Sequence, residues 1–106
     1  MVTAVTDTLA PEDCRTMTEV RAGVDATDAA LVALLGRRFG YMRAAARIKP
    51  ERGLVRDEAR KAQVLANARA LAVEHGCPAD VIEALWEQLV EASIAYELER
   101  FDERGF

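Results

Sequence analysis

Arg38 interrupts the apolar inward face of a long helix, with Arg21 standing 17 residues before it and Lys49 11 residues after it. A guanidinium grips a carboxylate in a two-pronged fork, and an ammonium is a compact point donor. On a straight helix Arg38 and Lys49 lie about 20° from eclipsed with Cα atoms about 16 Å apart, so side chains reaching toward each other leave a gap of small-molecule size. Arg21 lies about 25 Å from Arg38 along the same helix and cannot reach that gap from its own chain. Across an antiparallel dimer, the partner's Arg21 can. Two arginines and a lysine around a small hollow suit a compact dianion. The other helices carry matching anomalies. Arg60 leads the apolar line Val64, Ala68, Leu71, while Ser93 and Glu97 continue the line Ile82, Trp86, Leu89. A guanidinium taken into a helical interface costs several kcal/mol, roughly, unless an anion meets it. One such arginine reads most simply as an ion pair or a side chain snorkelling to water. Recurrence on every helix points instead to a polar hollow inside a bundle.

Other chemistries lack their parts. Cys14 and Cys77 are far apart and form no CxxC motif, and the single histidine, His75, sits in the helix-ending stretch EHGCP, where it reads as a solvated cap residue. No serine–histidine or cysteine–histidine pair, metal-ligand set or phosphate-cradling glycine loop is legible. Asp57 and Glu97 form a conceivable carboxylate pair, a weak signal in a chain with 18 acids. A site made this way suits a reaction that needs little covalent help, one accelerated by holding a reactive conformer and stabilising developing charge.

The elements that must position these groups follow from periodicity. The chain has 106 residues, 51% hydrophobic and only 6% aromatic, a single all-α domain by size and composition. Its net charge of −4 argues against non-specific nucleic-acid binding. No apolar run is long enough to span a bilayer, and MVTAVTDTLAPEDC lacks the pattern of a signal peptide, so a cytoplasmic protein is expected. Residues 1–15 read as a loose arm and 16–106 as the helical domain. A long first helix is expected from an N-cap at Thr18 through Lys49. Val20, Thr27, Leu34, Tyr41, Ile48 and Val24, Leu31, Ala45 form an a/d seam sustained over about four heptads. Gly23, Gly36 and Gly40 weaken it by about 1 kcal/mol each, and Pro50 closes it. A second helix falls within residues 55–76, stopped by Gly76 and Pro78, and a third follows with Asp80 as N-cap. Two shorter helices cannot cover the seam of the first, so an intertwined homodimer is expected.

The ordered set Arg21, Arg38, Lys49, VRDEAR and the late SIAYE resembles the all-helical chorismate mutases. PEDCRTMTEVRAGVDATD and LLGRRFGYMRAAARIK look especially like the related isochorismate–pyruvate lyases, and the similarity spans Pro11 to Phe101. The resemblance implies an intertwined dimer of three-helix chains with two identical sites. Chorismate would be rearranged to prephenate there without cofactor, metal or covalent intermediate. Arg38 would bind one substrate carboxylate and the partner's Arg21 the other. Lys49 would donate to the ether oxygen as the C–O bond breaks, with Glu97 as a second donor. Asp57 and Arg60 match ligand-contacting residues at the start of the second helix, Ser93 matches a serine near a carboxylate, and Val90 and Ile94 would line the apolar side of the ring.

The chain departs from that pattern in two ways. Lys61 stands where such mutases usually carry a glutamate that bonds the ring hydroxyl, and the loop PERGLV allows one residue of slack, so Arg60 and Lys61 can exchange roles. Glu97 donates a hydrogen bond only when protonated. Chorismate rearrangement is the first reading, supported by the retained VRD. Isochorismate–pyruvate lyase is the alternative, supported by the N-terminal similarity, with an amino-chorismate substrate behind it. A non-catalytic helical dimerisation module, its seam arginines merely paired with acids, is the reading from another class.

Overall fold

Describing residues 8–104, the computed structural model contains three α-helices, α1 Met17–Ile48, α2 Glu58–Glu74 and α3 Ala79–Asp102, and no strand among the described residues. None of these helices is long and apolar enough to cross a membrane. Residues 1–7 of the expected arm lie outside the described residues; Pro11–Asp13 form a short 3-10 turn. The chain divides into two units, one through Gly40 and one from Tyr41.

In the first unit, α1 starts one turn earlier than its seam. The cap is Thr16, not Thr18, because Thr16 and Glu19 close a reciprocal box. The Glu19 N–H donates to Thr16 Oγ1 at 3.2 Å, and Glu19 Oε1 accepts from the N–H groups of Thr16 and Arg15 at 3.0 and 2.9 Å. Those backbone donors, Arg15 first, hold the Glu19 carboxyl below its ordinary range. Helix α1 then runs through Gly23, Gly36 and Gly40 without a break. Its seam residues Val20, Val24, Leu31 and Leu34 are exposed.

In the second unit α2 packs along α3. Asp57 caps α2, accepting from the Arg60 N–H at 2.9 Å. At the other end Gly76 has a φ of 72°. The Cys77 N–H reaches the Ala72 carbonyl at 2.8 Å and the Gly76 N–H reaches Val73 at 3.3 Å, the double closure that a left-handed glycine allows. Helix α3 begins after Pro78, which takes the N-cap position expected of Asp80; the aspartate sits in the first turn instead. The small core joins Val55, Val90 and Ile94, with Val64, Leu65 and Leu98 packed against it. Each such aliphatic burial contributes about 1.5–3 kcal/mol.

The stripe of α2 that meets α3 is not the one read from the sequence. Lys61, Val64, Leu65, Ala68 and Ala72 are buried or half-buried, whereas Arg60 and Leu71 are exposed. Both stripes contain Val64 and Ala68, but Arg60 and Lys61 sit about 100° apart around the helix, so the stripe that includes Leu65 and Ala72 leaves Arg60 exposed and brings Lys61 onto the packed face.

Candidate active site

Lys49 follows the last residue of α1 and Glu97 lies in α3. The Lys49 ammonium donates to Glu97 Oε2 at 2.8 Å; the lysine side chain is 30% exposed and the carboxylate 5%. A buried carboxylate needs such a partner, because an unpaired charge there would cost several kcal/mol, roughly. The ammonium has three hydrogens and this contact uses one. It is therefore an oriented donor with solvent-accessible capacity left.

Around Lys49, the end of α3 grips the end of α1. Arg104 Nη1 donates to the Lys49 carbonyl at 2.6 Å and the Ala46 carbonyl at 3.3 Å. Its guanidinium lies over Phe101, 4.3 Å from the ring centroid. Arg52, in the 3-10 turn Arg52–Leu54, pairs with both oxygens of Asp102 at 2.9 and 3.3 Å. Nearly two turns back along α1, Arg43 donates to the Tyr96 hydroxyl at 2.9 Å, and Arg100 stacks over the Tyr96 ring.

A second cluster fastens α2 to α3. Lys61 donates to Glu87 at 2.6 Å and Glu91 at 2.8 Å, while Arg56 takes both Glu91 oxygens at 2.7 and 3.1 Å and reaches Glu58 at 2.9 Å. Arg56 first, then Lys61, pull the Glu91 carboxyl down from 4.5 to about 2. The same contacts push both cations upward, Arg56 chiefly through Glu91 and Lys61 chiefly through Glu87.

The remaining sequence-predicted residues fall as follows. Asp57 is spent on the α2 cap, and Arg60 is exposed with its guanidinium on Gln63 at 2.6 Å. Ser93 is buried, its hydroxyl donating back to the Leu89 carbonyl at 2.6 Å. Val90 and Ile94 belong to the core between α2 and α3. Arg38 is half-buried and Arg21 exposed, both in the first unit. That unit also holds a hollow of about 240 Å³, bordered by Leu9, Pro11, Cys14, Val20, Val24 and Thr27. Its lining includes no cation, so it is not the anion site expected of Arg38 and Lys49. Among the described residues no cluster of three or more His, Cys, Asp or Glu is placed to hold a metal ion.

Sequence reasoning thus brings together Lys49 and Glu97 and misses Arg104, Arg52, Arg43 and Glu91. One signal was present. Pro50 has no N–H, so the carbonyl four residues back, on Ala46, must find its donor elsewhere.

Comparison with known proteins places these residues in a family context. The family model for chorismate mutase type II matches residues 20–98, which contain both members of the Lys49–Glu97 pair. The isochorismate pyruvate lyase of Pseudomonas aeruginosa is 33% identical over 88 residues, covering 83% of this chain and 87% of that protein.

Proposed function

The chain belongs to the chorismate mutase type II family, and from that premise we propose that it rearranges chorismate to prephenate in a site centred on Lys49. The observation that carries this reading is the 2.8 Å pair between Lys49 and buried Glu97. As the ether C–O bond breaks, negative charge grows on the oxygen. An ammonium already oriented toward it needs no reorganisation at that moment, and one such donor is worth about 10²–10³ in rate. Arg38 takes one carboxylate, and the partner's Arg21 the other, in an intertwined homodimer. The exposed apolar seam of α1 supports a second copy: Leu31 and Leu34 are 50% and 63% exposed in the single chain. Ser93 adds a polar edge, and Val90 and Ile94 give the site its apolar floor. Asp57 and Arg60 stay candidate ligand contacts at the start of α2. The reading calls on no cofactor and no membrane, and places the enzyme in the cytoplasm.

A second reading, isochorismate–pyruvate lyase, is favoured by three specific observations. The Pseudomonas aeruginosa relative carries that name. Lys61, which stands in place of the hydroxyl-binding glutamate, is committed to Glu87 and Glu91, and the Asp57 that spoke for a mutase serves as a helix cap. Both reactions cleave an enolpyruvyl ether in a ring dianion, so Lys49 has the same task in each. Purified chain should consume chorismate, read as loss of its ultraviolet absorbance. Salicylate fluorescence from isochorismate, with chorismate untouched, establishes the lyase instead. Turnover of neither substrate, with no thermal stabilisation by either, returns the chain to the reading of a helical dimerisation module.

A further inference from the structure

Arg104 stands beyond the end of α3 and outside the segment the family model matches, residues 20–98. The local sequence explains why α1 needs it. A helical carbonyl accepts from the N–H four residues on; for Ala46 that residue is Pro50, which has none. Proline also drives the residue before it out of helical geometry, so α1 ends at Ile48 with its last carbonyls left open by the backbone that follows. Arg104 supplies the missing donor to Ala46 and Lys49 from one nitrogen, at 3.3 and 2.6 Å. Its positive charge also suits the negative end of the helix dipole. The stack on Phe101 holds the guanidinium in place.

Lys49 is thereby fixed at both ends by a single stretch of chain. Glu97 takes its ammonium and Arg104 its backbone carbonyl. We propose that Arg104 is a positioning residue for Lys49, fixing the backbone from which the ammonium is aimed. The neighbouring Arg52–Asp102 pair fastens the loop to the same helix end without touching Lys49. This inference rests on Lys49 as the donor of the proposed reaction, yet part of its test does not depend on turnover.

The chain has only two lysines, Lys49 and Lys61, so ¹³Cε-lysine labelling gives two signals, and Lys61→Arg assigns them. Arg104→Met keeps an apolar stem over Phe101 and removes the donors. It should shift or broaden the Lys49 signal, leave that of Lys61 in place, and lower kcat by about tenfold or more with KM within about twofold, the signature of a displaced donor. Asp102→Asn is the local control and should move neither signal nor kcat. Should Arg104→Met not fold, Arg104→Gln is read by the same two signals. An unchanged Lys49 signal and kcat in the folded variant overturns the proposal, as does an Asp102→Asn variant that reproduces both changes. If the wild type turns over neither chorismate nor isochorismate, the functional reading falls, while the Lys49 signal still decides the role of Arg104.

Discussion

The donor role proposed for Glu97 conflicts with the hydrogen bond it makes. In the pair with Lys49 it accepts a hydrogen bond, whereas a donor to the ether oxygen must carry a proton. Glu97→Gln separates the two, since an amide donates without an added proton but cannot hold the ammonium by charge. Activity kept in the folded variant speaks for donation, and activity lost shows that Glu97 acts by orienting Lys49. Glu91 allows a pH test of stability. Its carboxyl is held at about 2 by Arg56 and Lys61, below the ordinary 4.5. A depressed carboxyl stabilises the fold above its unfolded value and loses that contribution as pH falls through its folded one. The melting temperature should therefore drop between pH 4.5 and about 2, and Glu91→Gln should show a shallower drop. The effect is modest and weakens in high salt, since the side chain is 40% exposed. Glu97 was legible in the sequence as a charge on an otherwise apolar line, and Lys49 by its spacing of 11 residues from Arg38. Arg104 was not, because its role comes from a carbonyl, that of Ala46, left open by Pro50 and filled from 58 residues away.

Among the elements, α1 is the most demanding, a 32-residue helix that contains three glycines. A Cβ added at Gly36 meets nothing within 4 Å, and the residue lies off the heptad seam. Gly36→Ala should stabilise the fold by about 1 kcal/mol, read as a rise of several degrees in melting temperature. A fall would mean that a neighbour outside the single chain fills that space. The three helices and the stop at Gly76 and Pro78 could be read from periodicity and turn chemistry. Their starts could not, because Thr16 and Thr18 offer the same hydroxyl and only the reach of Glu19 back to Thr16 decides between them. The inward stripe of α2 misled for a similar reason. Val64 and Ala68 fit two stripes one residue apart, and the acids Glu87 and Glu91 on α3 select the one led by Lys61.

At the scale of the molecule, apolar surface is left over. Val20, Val24, Leu31, Leu34, Tyr41 and Ile48 are all at least 38% exposed, and no large side chain among the described residues is fully buried. A chain of 106 residues with so small a core gains most from association. With the seam of α1 proposed as the interface of a dimer, Leu31→Asp should shift sedimentation toward monomer and abolish turnover, because the proposed site would lose the partner's Arg21. A variant that is monomeric and fully active would remove the second chain from the mechanism. The length of α1 was legible because heptad spacing survives three glycines; the exposure of its apolar line was not, because periodicity says which residues share a face and nothing of what covers it.

The most direct test concerns the ammonium itself. Turnover of chorismate and of isochorismate should be measured side by side for the wild type and for Lys49→Met, with folding checked by circular dichroism. The wild type should consume at least one of the two, and the folded variant should lose about 10²-fold or more in kcat on that substrate. A folded Lys49→Met that retains wild-type kcat would contradict the donor role of Lys49.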